Sequence, residues 1–160
     1  MADDTFASRN IGHVLAGGQS QLTNHVIVAA SETIYPCYAI YISQGKAYAA
    51  NSTDAKFSGV AGLKPDQDID TAYTAGEMIP YFPKGEDVDV WMYLQATTPS
   101  EAAAIDEGLP AKLGTEDGKV SLDVAIDGST SQYQVGHFKS YSAGSATNDI
   151  LVKVNLSRAF

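Results

Sequence analysis

The sequence predicts a mainly β fold, a small barrel or sandwich with an extended N-terminal arm and one short helix. Three observations predict it. Short runs rich in Val, Ile and Tyr recur along the chain between turn-forming clusters of Gly, Asn, Asp, Ser and Thr. The clearest run alternates strictly, with Val88, Val90, Met92 and Leu94 on one side and Asp87, Asp89, Trp91 and Tyr93 on the other, which is the period of a half-buried strand. The chain has 160 residues, enough for one domain whose core needs no disulfide or metal staple.

In chain order, residues 1–24 read as an arm, polar and punctuated by Gly12, Gly17 and Gly18. Its isolated apolar residues Phe6, Ile11, Val14 and Leu15 follow neither the helical nor the strand period. Two readings stand side by side: a frayed terminus, or a segment that orders by docking those four residues on a neighbouring protein. Residues 25–160 form the β-rich domain. HVIVAA, IYPCYAIYIS and KAYAAN open it as strands, the last two joined across the tight link Ser43-Gln44-Gly45-Lys46. Ile34, Tyr38, Ile40 and Ile42 are expected on one side of the second strand and Tyr35, Cys37, Ala39 and Tyr41 on the other. Pro36 lacks a ladder donor and marks a strand start, an edge or a bulge.

The stretch from Phe57 to Leu94 gives a Gly-punctuated strand, a long acidic loop, a short strand carrying Pro80, a turn and the alternating strand. After it, Thr98-Pro99-Ser100-Glu101 has the form of a capping box with Pro at the first helical position, and Gly108 is a C-terminal stop. A helix of about two turns is expected there. KVSLDVAI, YQVGHFKSY and DILVKVNL then resume the strands.

Composition narrows the function. Ten Lys and Arg against 19 Asp and Glu give a net charge of -9, which opposes a phosphate backbone and argues against nucleic acid as a partner. The start MADDTFASRN lacks the basic and apolar segments of a secretory signal, and no run approaches the roughly 18 apolar residues of a membrane span, so no membrane partner is expected. The lone cysteine, Cys37, sits among apolar residues and reads as a buried, inert thiol. His13, His25 and His137 fall in no paired-ligand spacing, and no nucleophile elbow, P-loop or dinucleotide fingerprint is present. In the acidic loop Asp66, Asp68 and Asp70 alternate as the first EF-hand ligands do, with Thr74 and Glu77 at the later ligand positions. Thr71 stands where that loop needs Gly, and Pro65 and Pro80 bracket it, so a solvated rim is the reading. No enzyme activity, metal or cofactor is expected. Trp91 and Tyr93 beside two aspartates leave a non-catalytic glycan- or protein-binding module as the alternative.

Two segments share a pattern of strand, Gly, loop and strand: SGVAGLKPDQDIDTAYTAGEMIPYF, continuing into DVDVWMYL, and VGHFKSYSAGSATNDILVKVNL. PAKLGTEDGKV is similar to a Gly-flanked hairpin preceding the last unit. On these segments, Val26 to Leu156 resembles the head-decoration, or capsid cement, proteins of tailed viruses. The resemblance implies a β-barrel or β-tulip body that forms a homotrimer at threefold or quasi-threefold sites and clamps neighbouring major capsid subunits. It also implies an N-terminal arm reaching across those subunits, with Phe6, Ile11, Val14 and Leu15 as the contacts to expect. The protein would be made in the host cytoplasm and located on the outer capsid surface of the virion, with the major capsid protein and itself as partners and no catalytic residues.

Overall fold

The computed structural model describes residues 15–18, 24–54, 56–65, 67–95, 106–121, 134–142 and 151–157. Among these the regular structure is all strand, in the mainly β class expected. Five strands close a first barrel: β2 (Asn24–Val28), β3 (Ala39–Ser43), β4 (Lys46–Ala49), β5 (Gly59–Ala61) and β6 (Met78–Pro83), in the order β2-β4-β3-β5-β6. β2 and β4 run parallel and the other neighbours antiparallel.

The second half repeats this plan. β7 (Val88–Tyr93), β8 (Pro110–Leu113), β9 (Val120–Ser121), β10 (Gln134–Ser142) and β11 (Leu151–Asn155) run β7-β11-β10-β8-β9, with β1 (Leu15–Gly18) added outside β7. A parallel bridge from Leu94 to Val120 brings β9 back to the end of β7. The ring is therefore β7-β9-β8-β10-β11, the order of the first barrel strand for strand. Registers agree residue by residue. Ile27 opposite Met78 corresponds to Tyr93 opposite Leu151, and His25 opposite Pro80 to Trp91 opposite Lys153. Ala39 opposite Val60 corresponds to Pro110 opposite His137. Among the described residues one five-stranded plan thus occurs twice, as a closed N-terminal barrel and as a C-terminal sheet that a single bridge brings round into the same ring, called here the C-terminal barrel.

Close backbone approaches recur at matching places. A Cβ on Gly59 would stand under 3.0 Å from the Phe82 carbonyl oxygen, and one on Gly136 under 3.0 Å from that of Asn155. Only glycine lets the two strands approach so near. Where Cys37 N–H donates to Ala61 O at 2.9 Å, Gly108 N–H donates to Phe138 O at 2.8 Å. Both positions lie in the left-handed region, Cys37 at φ 74° and Gly108 at φ 93°.

Apolar alternation fills each barrel. Val26, Val28, Ile34, Ile40, Ala47, Ala61, Tyr73 and Ile79 pack inside the N-terminal barrel. Val90, Met92, Val152, Val154, Leu113 and Phe138 belong to a larger core that also takes in Ala39, Phe57, Val60 and Phe82 of the first barrel. Two apolar clusters result, one inside the N-terminal barrel and one spanning both barrels, and the half-buried Tyr38 packs against both; each fully buried Val, Leu, Ile, Phe or Met contributes about 1.5–3 kcal/mol.

Three expectations are refined. The run IYPCYAIYIS does not form one strand: Pro36 and Cys37 lie in a turn, Ile34 makes a single bridge to Tyr73, and β3 begins at Ala39. The positive φ at Cys37 breaks the alternation expected through it. Of the expected helix, residues 96–105 lie outside the described residues, and its end at Asp106 to Gly108 enters a turn. Of the expected strand KVSLDVAI, Val120 and Ser121 form β9, and residues 122–130 lie outside the described residues.

Candidate interaction surfaces

Of the arm residues expected to make contacts, Phe6, Ile11 and Val14 lie outside the described residues. Leu15 opens β1, opposite Val90, and Gly17 and Gly18 oppose Asp89 and Val88. Part of the arm is thus a strand laid on β7, which the missing period at Val14 and Leu15 did not reveal.

The acidic loop separates its carboxylates. Asp66 lies outside the described residues, and Asp68 and Asp70 are exposed on either side of buried Ile69. Glu77 turns the other way. Its Oε2 meets Lys64 Nζ at 2.6 Å, and its Oε1 accepts from the Thr74 N–H at 3.1 Å. These donors hold the Glu77 carboxyl below its ordinary pKa, the Lys64 ammonium first. Tyr73, wholly buried, ties the loop down by donating to Gly62 O at 2.9 Å and accepting from Lys64 N–H at 2.9 Å. Burial pushes its hydroxyl up to about 12. Among the described residues no cluster of His, Cys, Asp and Glu forms a metal centre.

The Asp87, Asp89, Trp91 and Tyr93 face divides in two. Trp91 is half-buried with Lys153 Nζ 5.6 Å from its ring centroid, a cation over the face that a sugar would use. Tyr93 is 8% exposed, and its ring meets Tyr38 edge-on at 5.9 Å. Asp87 and Asp89 share the Asn155 amide, at 2.9 and 2.7 Å. His137 lies beside Asn155 on β10, its Nδ1 buried without a hydrogen bond, and His25 is exposed on β2. The two are in different barrels. Cys37 is fully buried, and burial raises its thiol pKa, so the inert reading agrees with its surroundings.

Tyr38 is the hinge of the inter-barrel contact, and sequence reasoning placed it only as a strand residue. Its ring covers Gly118 so closely that a Cβ there would overlap it. Gly118 is also held by backbone bonds: its N–H donates to Ala50 O at 2.8 Å, and its O accepts from Ala39 N–H at 2.9 Å. Ser52 N–H donates to Gly114 O at 2.8 Å, and Asn51 Nδ2 to Asp117 Oδ1 at 2.7 Å. The β8–β9 turn therefore clasps the first barrel, with Tyr38 as the wedge.

Along β2 and β6 of the N-terminal barrel lies a shallow groove of about 320 Å³ lined by His25, Leu63, Lys64, Met78, Pro80 and Phe82, with Phe82 and Leu63 reaching the core shared with the second barrel. Met78, 55% exposed, is the large apolar side chain that stands out among the described residues. Its exposure was hidden in the sequence, because EMIPYF gives a strand without saying which face is covered.

No family model matches the sequence, and no curated protein matches it. Among solved structures, a chain from the capsid of Myoviridae phage XM1 superposes with a TM-score of 0.54 at 16% identity. The match covers 98% of this chain and 99% of that one. At such identity it shows a shared fold, and it takes in both barrels.

Proposed function

We propose that this chain is a structural virion protein that decorates and stabilises a phage capsid, with no catalytic role. The observation that carries the reading is the overlap, along nearly the full length of both chains, with a chain from a phage capsid. The surfaces support it. The acidic side chains of the loop are spread or bonded internally, and the groove beside Met78 is shallow and mostly apolar. Such a surface suits a protein contact more than a reaction, which needs convergent polar groups in a concave site.

In this reading the body, residues 25–160, sits on the outer surface as a homotrimer at threefold or quasi-threefold sites and clamps neighbouring major capsid subunits. The arm, residues 1–24, reaches across them through Phe6, Ile11, Val14 and Leu15. Synthesis is in the host cytoplasm. Because weak contacts repeat around a trimer, each gains from the high effective concentration set by the others. The half-buried Trp91 under Lys153 favours this over a glycan platform.

The test is sedimentation of purified protein with expanded capsids of its own phage. The full chain is expected to co-sediment and to raise the temperature at which the particles open. A version lacking residues 1–24 is expected to stay folded and bind at least tenfold more weakly. Full-strength binding without the arm would remove the arm's role, and no binding by the full chain would remove the decoration reading itself.

A further inference from the structure

The two barrels of one chain meet through unlike faces. The N-terminal barrel offers the turn ending at Tyr38, where Tyr38 N–H donates to Tyr35 O at 3.2 Å and Ala61 N–H donates to Tyr38 O at 2.9 Å. The C-terminal barrel offers Gly118 at its β8–β9 turn and Tyr93 on β7, and the Tyr38 ring packs on both.

Each barrel also carries the face that the other uses. In the C-terminal barrel Leu109 takes the place of Tyr38: its N–H donates to Asp106 O at 3.2 Å, and its O accepts from Phe138 N–H at 2.8 Å. In the N-terminal barrel Gly45 takes the place of Gly118, each a glycine before a lysine, at φ 75° and 76°. Ile27 opposite Met78 takes the place of Tyr93 opposite Leu151. Tyr93 and Leu151 are covered, 8% and 2% exposed. Their counterparts are not: Ile27 is half-buried, Met78 is 55% exposed, and nothing lies within 4 Å of a Cβ on Gly45.

We propose that copies of this chain join head to tail, the Leu109 turn of one C-terminal barrel seated on the Ile27, Met78 and Gly45 face of the next copy's N-terminal barrel. The pairing rests on shape and apolar area rather than on charge: Glu107 beside Leu109 is already paired with Lys139 at 3.2 Å, and Lys64 beside Met78 with Glu77 at 2.6 Å. The contact between copies is weaker than the one within the chain. Pro110 stands where Ala39 donates a backbone bond to Gly118, and His137 and Asn155 stand where Val60 and Phe82 pack. A more polar version of an apolar interface suits an association that is made and broken. An interface of two unlike faces closes into a ring when its rotation allows. The inference rests on the self-association in the proposed function, and three copies would make a ring of six barrels.

The test is sedimentation velocity of the full chain up to millimolar concentration. The expected result is a closed oligomer of fixed mass. Met78→Asp and Leu109→Asp are each expected to be monomeric, and their equimolar mixture to stop at dimers, since each variant keeps one good face. Glu107→Lys, at an exposed site beside Leu109 where it gives up only a surface pair with Lys139, is expected to weaken association at least tenfold with a nearly unchanged melting temperature, and it decides the matter should Leu109→Asp fail to fold. A wild-type monomer at every concentration would overturn the proposal, as would association that survives Met78→Asp. Leu109 and Glu107 variants that associate like the wild type would overturn it too, because they point to an interface of two like faces. Capsid co-sedimentation of the monomeric variants reads the decoration role separately, so the two failures are distinguishable.

Discussion

Replacing Gly118 with alanine tests the inter-barrel clasp at its tightest point. The residue lies at φ 76°, and a Cβ would stand under 3.0 Å from three atoms of the Tyr38 ring. An L-residue in the left-handed region costs about 1–2 kcal/mol, and overpacking a filled site about 1–3 kcal/mol more. The ring has little room to retreat, since Tyr35 lies 5.4 Å from it on one side and Tyr93 5.9 Å on the other. Gly45→Ala is the control: nearly the same φ, 75°, and nothing within 4 Å of the new methyl, so the backbone cost of about 1–2 kcal/mol stands alone. A chain of this length loses about 2–4 °C of melting temperature per kcal/mol. Thermal unfolding followed by circular dichroism should therefore place Gly118→Ala below Gly45→Ala by roughly 2–12 °C. Adding Tyr38→Ala to Gly118→Ala should recover part of the steric cost, read as a coupling energy in a double-mutant cycle. Equal melting temperatures for the two glycine variants would refute the wedge.

Gly59→Ala and Gly136→Ala meet backbone carbonyls that cannot swing aside; each should cost at least about 2 kcal/mol, and a neutral result at either would break the equivalence of the barrels, as read by urea unfolding. Cys37, at φ 74° where the other barrel has Gly108, should tolerate glycine better than alanine by about 1 kcal/mol, the reverse of the usual order, as read by the same unfolding curves. Native protein should leave the Cys37 thiol unlabelled by a maleimide until denaturant is added, because it is fully buried and its pKa is raised. The Glu77 pKa is lowered on folding, so its contribution is complete above the ordinary value of about 4.3 and fades as pH falls through the lower folded value. Glu77→Gln should then flatten the melting temperature against pH below about 4.3, and an unchanged slope would show that Lys64 does not hold it.

Much of the fold was legible because two local signals are physical requirements. Strict alternation from Val88 to Leu94 puts its four apolar residues on one face, and those four are buried, at 2% exposure or less; on the other face Tyr93 is covered by Tyr38, which the alternation did not foretell. The Gly-loop-strand units around Gly59 and Gly136 were visible because close strand approach admits nothing larger. The full duplication was not legible, since matched positions hold unlike residues: Val26 and Met92, His25 and Trp91, Phe82 and Asn155. A barrel interior asks for apolar volume more than identity, and outward positions answer to whatever lies opposite. Ring closure through one bridge at Leu94 and Val120 is a tertiary event with no sequence mark. The interaction surfaces were hidden for the same reason. Met78 and Ile27 look like any strand residues until one knows that nothing in the described chain covers them as Tyr38 covers Tyr93.

Duplication gives every surface of one barrel a counterpart on the other, and the differences between counterparts record what each faces. Val60 and Phe82 look into the shared core and are 0% and 7% exposed. Their counterparts His137 and Asn155 are polar, with Asn155, 5% exposed, bonded to Asp87 and Asp89. Polar groups at that face make its contact with a further unit weaker than the apolar one between the two barrels. The other end is different. Tyr93 and Leu151 become Ile27 and Met78, still apolar and now open. That the first barrel keeps its apolar strip is the physical reason to look there for whatever this chain holds.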